Sequence, residues 1–151
     1  LAFLCGLYLI ILNNGDPMIW LLLALGAFFL LFYTWPLKGL ALGEIAVLIV
    51  WGPLMIGGGY YVLAHSWSWL VVIASLPYSL GVTTVIFGKH IDKLDADKQK
   101  GVGTLPVKIG EKAARYVNMA GLILSYLVIL YLVFIGIWEA NYVHRMLDMF
   151  Q

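Results

Sequence analysis

Three aspartates interleaved with lysines form the part of the sequence best suited to chemistry. Asp92, Asp95 and Asp97 fall within six residues, and carboxylates are the oxygen ligands that bind Mg²⁺ together with substrate phosphates. Lys98 and Lys100 are candidates to contact phosphate oxygens as point charges. The alternative is a solvated charge run that only sets membrane topology, and composition alone favours this alternative.

Helical spacing limits how these acids could act together. Asp92 and Asp95 are three residues apart and would share one face of a helix. Asp97 lies about 140° round the helix from Asp92, so all three carboxylates converge only if the helix unwinds locally. His90 could be a base or a ligand, although a lone interfacial histidine is more often an ordinary polar residue.

A second group of candidates lies between two long apolar runs. Tyr33 and Lys38 belong to the segment Tyr-Thr-Trp-Pro-Leu-Lys, which Gly43-Glu44 follows. Lys38 could reach the same phosphate as the aspartates if the helices that carry the two groups are neighbours. In the structural alternative, the aromatic residues belong to an interfacial belt, the proline ends the helix and Lys38 extends to the interface. Glu44 would then cap the next helix.

The composition indicates that membrane spans carry these residues. The chain has 151 residues, of which 63% are hydrophobic and 11% are charged, whereas soluble domains contain about 25% charged residues. These values exclude a disordered chain and an ordinary soluble domain, and a single cysteine excludes an internal disulfide. We therefore predict an all-α, integral membrane helical bundle.

The uncharged runs define the predicted spans. A bilayer core about 30 Å thick requires roughly 20 apolar residues per helix, and four runs have this length: residues 17–37, 45–64, 66–88 and 116–138. Residues 1–12 are too short, and we interpret them as the end of a truncated span. The chain is thus predicted to be one N-terminally truncated transmembrane domain, 1–151, with about five spans and a long loop at 89–115.

Two further patterns concern the orientation and shape of these spans. Eight of the nine basic residues fall in the loops at 38–44 and 89–115, and Arg145 is the exception. The positive-inside rule therefore predicts that both loops are cytoplasmic. Gly52-Pro53 and Gly57-Gly58-Gly59 interrupt the third span, either to allow close helix packing or to bend a cavity wall.

These motifs together resemble the UbiA-type intramembrane prenyltransferase superfamily over about residues 18–137. The segment that resembles the family's second Asp-rich motif is Asp92 to Asp97 with Lys100-Gly101, Thr104-Leu105-Pro106-Val107 and Ile109-Gly110. Tyr33 to Lys38 resembles the family's Tyr-x-x-Pro-x-Lys element. The features most similar to the 1,4-dihydroxy-2-naphthoate polyprenyltransferases of menaquinone synthesis are Gly43-Glu44, Gly52-Pro53 and Gly59-Tyr60-Tyr61-Val62.

The resemblance implies spans three to seven of a nine-span bundle in a prokaryotic plasma membrane. It implies transfer of a polyprenyl group from an allylic diphosphate to an aromatic, quinone-precursor-like acceptor, with Mg²⁺ as the cofactor. The metal-binding acids would be Asp92 and Asp97, or Asp95 in place of Asp92, while Lys38 and Tyr33 would stabilise the departing diphosphate. The expected partners are the prenyl diphosphate, the hydrophobic acceptor and lipid, and no nucleic acid.

One departure from the family pattern affects the expected activity. The family's first Asp-rich motif is absent, because the chain starts too late to contain it. We therefore expect this piece to be inactive alone. The competing interpretation is a non-enzymatic membrane component, such as a transporter segment or a structural subunit, whose basic loop only sets topology.

Overall fold

A computed structural model describes residues 2–136 of the chain, and in that range it contains helices and no strand. The α-helices are α1 (Ala2–Leu12), α2 (Pro17–Phe32), α3 (Gly43–Ile49), α4 (Gly58–Ala64), α5 (Trp69–Asp92), α6 (Leu94–Gln99), α7 (Leu105–Ile109) and α8 (Glu111–Phe134). Two π-helical segments, Tyr33–Leu37 and Val50–Gly57, follow α2 and α3 respectively. The predicted all-α membrane bundle is confirmed.

Three helical stretches are long and apolar enough to cross a membrane: Gly43–Ala64, Trp69–Asp92 and Glu111–Phe134. The first is continuous through α3, the second π-helical segment and α4. Helix α2 is shorter, with 16 residues, and the first π-helical segment extends it. The end of the run at 116–138, and Arg145, lie outside the described residues.

Helix α5 is the central element, since α3, the second π-helical segment and α8 all pack against it. The closest approach is at Gly52, where an added Cβ would lie 2.8 Å from Ser79 Oγ and 3.1 Å from Ser75 Oγ. Both serines are buried, and their hydroxyls donate to carbonyls of their own helix. Glycine at position 52 therefore permits contact between the two helices that any side chain would prevent.

At one end of the bundle, a polar turn joins α1 to α2. Asp16 caps α2, because its Oδ1 accepts a hydrogen bond from Met18 N at 2.8 Å. Its Oδ2 accepts a second bond from the Tyr61 hydroxyl at 2.7 Å, which ties the turn to α4. We call this the Asp16 end.

The outer surface of the bundle is apolar. Helix α8 exposes large side chains along most of its length, among them Ile123, Leu127 and Phe134. Such a surface is stable in contact with lipid or with another apolar surface, and not in water.

Candidate functional site

The two polar loops of the chain meet at the end of the bundle opposite to Asp16. An added Cβ at Gly103 would lie 2.6 Å from the carbonyl oxygen of Gly39, so the backbones are in direct contact. Lys108 Nζ also donates a hydrogen bond to Leu40 O at 3.0 Å. We call this region, residues 33–44 and 88–118, the basic end. Lys38 and the aspartate-bearing loop are therefore parts of one surface.

The first π-helical segment places Tyr33 and Lys38 on the same side of the chain. Lys38 N donates to Tyr33 O at 3.0 Å, and this five-residue separation is the hydrogen-bond pattern of a π-turn. Both residues contact the start of α3, since a Cβ at Gly43 would lie 3.5 Å from Lys38 Cα and 3.8 Å from Tyr33 Cε2. Both side chains are half-buried. The segment thus holds the Cα of Lys38 and the ring of Tyr33 against the start of the same helix.

Tyr33 also borders an apolar cavity of about 470 Å³, which we call the Tyr33 cavity. Its walls come from α2, α3, the second π-helical segment and α5, and the lining residues are Gly26, Phe29, Leu30, Tyr33, Ala46, Val47, Val50, Trp51 and Ile86. Apart from Tyr33, this lining offers hydrocarbon and the Trp51 indole. The cavity is thus suited to an apolar chain whose polar end lies at Tyr33 and Lys38.

The three aspartates occupy two different places. Asp92 ends α5, Asp95 lies in the first turn of α6, and both line a cleft of about 240 Å³ together with Glu111 and Arg115. Asp97 is 9% exposed and does not line this cleft. Its Oδ2 is shielded from solvent and has no hydrogen-bond partner in the part of the chain that the structure describes. Asp92 and Asp95 therefore share a surface, and Asp97 is separate from them.

The three aspartates suit a metal ion that is also coordinated by the phosphates of a substrate. Among the residues that the structure describes, no three His, Cys, Asp or Glu side chains form a group that could hold a metal. Mg²⁺ is usually bound through one or two carboxylates plus substrate phosphates. The unpartnered Asp97 Oδ2 would gain from a cation or a donor, because a buried carboxylate oxygen without one is costly. The residues fit an ion bound with a diphosphate, and they do not form an all-protein cage.

The two lysines proposed to contact phosphate lie on the surface of the same loop. Lys98 and Lys100 are both exposed, and neither lines the cleft of Asp92 and Asp95. A tight turn with Gly101 at φ +67° follows them and leads to Thr104, which is 1% exposed. Thr104 Oγ1 is a second shielded atom without a partner. The loop therefore presents cations outside and unpartnered oxygens inside.

Sequence reasoning missed a buried pair at the centre of the basic end. His90 Nδ1 and Glu44 Oε1 are 2.8 Å apart, and the two side chains are 8% and 5% exposed. The hydrogen bond joins α3 to α5, between Gly43, which contacts Lys38, and Asp92. The sequence signal is two polar residues at the ends of apolar runs, and nothing in their spacing predicts that the two side chains contact each other.

The fold and this region define the class of protein. It is a membrane-embedded helical bundle with a basic end beside an apolar cavity. The sequence profile of the UbiA prenyltransferase family matches residues 1–144. The chain belongs to the UbiA prenyltransferase family.

Characterised members of the family are similar to parts of the chain. It is 30% identical over 89 residues to a 2-carboxy-1,4-naphthoquinone phytyltransferase of Synechocystis sp., a match that covers 59% of this chain and 29% of the relative. It is 31% identical over 80 residues to the 1,4-dihydroxy-2-naphthoate octaprenyltransferase of Escherichia coli, covering 53% and 26% respectively.

A human relative is similar over the same extent. The chain is 26% identical over 91 residues to the UbiA prenyltransferase domain-containing protein 1 of Homo sapiens, covering 60% of this chain and 27% of that protein. In each case the match spans less than a third of the relative's length. No solved structure is a significant match.

Proposed function

We propose that this chain supplies part of the active site of an enzyme that transfers a polyprenyl group from an allylic prenyl diphosphate to an aromatic, quinone-precursor-like acceptor. The observation that carries the proposal is the meeting of the two polar loops, Gly39 against Gly103, beside the Tyr33 cavity. The loop that carries Tyr33 and Lys38 thus contacts the loop that follows the aspartates, and Tyr33 borders a space for hydrocarbon. The names of the relatives, which include transferases that act on naphthoquinone-type acceptors, support the same reaction.

The parts of the substrate correspond to different parts of the structure. The prenyl tail would occupy the Tyr33 cavity, and the diphosphate would lie at its polar end near Tyr33 and Lys38. Lys98 and Lys100 would draw the diphosphate to the loop, since exposed ammonium groups attract phosphate as point charges. Asp92 and Asp95, which share a surface, or Asp97, which lies apart from them, would hold Mg²⁺, which when bound neutralises negative charge on the diphosphate.

The chain's own groups would act on the bond that breaks. The allylic carbon–oxygen bond breaks with its electron pair leaving on the diphosphate, and Lys38 and Tyr33 would stabilise that charge as preorganised donors. The apolar walls of the cavity keep water from the allylic cation. The cation then bonds to an electron-rich ring carbon of the acceptor, which loses a proton to restore aromaticity.

A transfer assay with the intact natural protein in liposomes tests this proposal. Labelled farnesyl diphosphate and 1,4-dihydroxy-2-naphthoate should give a prenylated product with Mg²⁺, and the product should disappear with a chelator. Replacing all three acids, Asp92→Asn, Asp95→Asn and Asp97→Asn, should abolish transfer, whereas Asp16→Asn at the opposite end should not. Normal transfer by the triple variant would favour the alternative, a loop that only sets topology.

The orientation of the chain is a separate proposal. We propose that both loops of the basic end face the cytoplasm of a prokaryotic cell, because eight of nine basic residues lie there. Single cysteines at the exposed positions Leu40 and Lys100, in a Cys5→Ser background, should react with a membrane-impermeant maleimide only in inverted vesicles. Labelling of the two positions from opposite sides would overturn it.

A further inference from the structure

One buried hydrogen bond between side chains crosses the basic end. His90 Nδ1 and Glu44 Oε1 are 2.8 Å apart, and no other hydrogen bond between two side chains is buried among the residues that the structure describes. The remaining two, at Asp16 and at Arg115, are part-buried and exposed. Because a buried polar bond is shielded from competing water, it holds both partners in one geometry. This bond therefore fixes α3 relative to α5.

On the α3 side, the bond begins next to the contacts made by Tyr33 and Lys38. Glu44 follows Gly43, and a Cβ at Gly43 would lie 3.5 Å from Lys38 Cα and 3.8 Å from the Tyr33 ring. Closely packed atoms transmit a displacement to their neighbours. A shift of the start of α3 would therefore also shift Tyr33 and Lys38.

On the α5 side, the bond ends in the last turn of the helix. Lys93 N donates to Lys89 O at 3.2 Å, so the helix is closed through His90 to its final residue, Asp92. Asp92 lines the cleft that it shares with Asp95. The hydrogen bond thus joins the helix start that contacts the proposed leaving-group donors to the helix end that carries a proposed metal ligand.

The start of α3 needs such a restraint. The helix has seven residues, and its N-cap residue, Leu42, makes no side-chain capping bond. Ala41 has φ +64°, a conformation that a residue with a side chain keeps only where its surroundings impose it. Apolar packing of α3 on α5 is also present, but it is not directional, whereas a hydrogen bond is. The bond from Glu44 to His90 therefore sets the position of α3 along α5.

Neither residue of the pair borders the places proposed for the prenyl tail and the metal ion. Glu44 and His90 line neither the Tyr33 cavity nor the cleft of Asp92 and Asp95. Both side chains are more than nine-tenths buried. Any effect of this pair on the proposed reaction would therefore act through the residues that it holds in place.

We propose that Glu44 and His90 are a positioning pair, whose hydrogen bond sets Tyr33 and Lys38 at a fixed separation from the aspartate-bearing end of α5. The proposal rests on the proposed function, in which both groups act on one diphosphate. The separation of α3 from the end of α5 then decides whether Lys38 and the metal ion reach the same phosphate group. A displacement of about 1 Å can lower turnover by up to about a hundredfold.

A distance measurement on the intact protein in nanodiscs tests the proposal without substrate. Spin labels at the exposed positions Leu40 and Lys93, in a background without other cysteines, report how far the loop before α3 lies from the end of α5. His90→Leu should shift or broaden the distance distribution measured by pulsed electron paramagnetic resonance. His90→Asn should restore it, because the amide nitrogen of asparagine takes the place of Nδ1 and can donate to Glu44.

Turnover measurements test whether the pair acts through Lys38. In the liposome transfer assay, His90→Leu should lower kcat at least about tenfold, with a smaller change in KM for the prenyl diphosphate. Lys38→Met should have much less effect on kcat in the His90→Leu protein than in the wild type, because Lys38 is already displaced there. A pair that only stabilises the fold would leave the effect of Lys38→Met unchanged.

Two further variants keep the test decisive. Tyr61→Phe removes a hydrogen bond of 2.7 Å between two elements at the Asp16 end, and it should change neither the label distance nor kcat. Glu44→Asp keeps the carboxylate but shortens its reach by one carbon, so it should alter both even if His90→Leu does not insert. An unaltered label distance in whichever of these two variants inserts, or an undiminished effect of Lys38→Met in that variant, would overturn the proposal.

The distance measurement does not depend on prenyl transfer. If the label distance depends on Glu44 and His90 but the wild-type protein prenylates no acceptor, the proposed function fails and the pair still sets this separation. If prenyl transfer occurs but the label distance does not depend on Glu44 and His90, the positioning pair fails and the proposed function stands.

Discussion

The two ends of the bundle differ in how completely their buried polar groups are paired. At the Asp16 end, one carboxylate receives a backbone N–H on one oxygen and the Tyr61 hydroxyl on the other. At the basic end, three shielded oxygens have no partner among residues 2–136: Asp97 Oδ2, Thr104 Oγ1 and Asn118 Oδ1. Both ends have tight turns with positive φ, so the difference lies in the hydrogen bonding and not in the backbone.

This difference separates a carboxylate that stabilises the fold from shielded oxygens that the described residues leave unpaired. A buried polar atom is nearly always paired in a folded protein, and an unpaired one is explained by strain, by a catalytic role or by a bound water or ion. The Asp16 end follows the rule, since its carboxylate caps a helix and ties it to another. Substitutions at the Asp16 end should therefore affect stability alone, whereas those at Lys38 and at the contact between the two loops of the basic end should affect binding and turnover.

Lys38→Met should have the largest effect on turnover. Loss of one preorganised cation beside the leaving group typically costs on the order of 3 kcal/mol, or about a hundredfold in kcat. The Michaelis constant for the prenyl diphosphate should change less, because the contact between Lys38 and the diphosphate strengthens as negative charge develops on the leaving oxygen. Steady-state kinetics of the intact protein would measure both values, with Lys112→Met as the exposed control. Wild-type turnover in a correctly inserted Lys38→Met protein would remove Lys38 from the mechanism.

Gly103→Ala should have the next largest effect. The new Cβ would lie 2.6 Å from the Gly39 carbonyl oxygen, so one loop must move away from the other. A displacement of about 1 Å can lower turnover by up to about a hundredfold, and we expect at least about a tenfold loss. The matched control is Gly59→Ala, where no atom lies within 4 Å. If Gly103→Ala keeps full activity, contact between the loops is not required.

The Glu44–His90 pair should couple α3 to α5 energetically. Glu44→Leu and His90→Leu should each lower the free energy of unfolding by about 1–3 kcal/mol, since each leaves the other group buried and unpaired. The double variant should lose less than the sum. The exposed pair Glu111–Arg115, at 2.6 Å, is the control, and its coupling should be only about 0.3–0.5 kcal/mol. Additive losses at Glu44 and His90, measured by denaturant titration in micelles, would contradict the coupling.

The smallest effect should come from the Asp16 end. The hydrogen bonds from the Tyr61 hydroxyl and Met18 N lower the pKa of Asp16. Its stabilising contribution is therefore complete above its unfolded pKa and is lost as the pH falls through the lower, folded value. Tyr61→Phe should slightly lower the melting temperature at neutral pH and should reduce the further decrease in melting temperature as the pH falls. Transfer activity should not change. A large loss of activity would break the contrast between the two ends.

The sequence was informative wherever a property depends on local spacing. Hydropathy indicated the helices, and a separation of three residues predicted that Asp92 and Asp95 share a face that Asp97 does not. The contacts that define the basic end depend on how distant helices pack. Glu44 and His90 are 46 residues apart, and neither residue signals the other in the sequence. The unpartnered oxygen of Asn118 could not be foreseen, because it depends on the burial of α8 against α5.

The contact between the two loops can form only after both loops have been synthesised. Lys108 and Leu40 are separated by 68 residues, which a ribosome adding about 5–20 residues per second takes about 3–14 s to synthesise. When Leu40 has just been synthesised, α2 is complete, while α3 and the loop that contains Lys108 have still to be made. The contact between the two loops therefore forms only after residues 41–108 have been added.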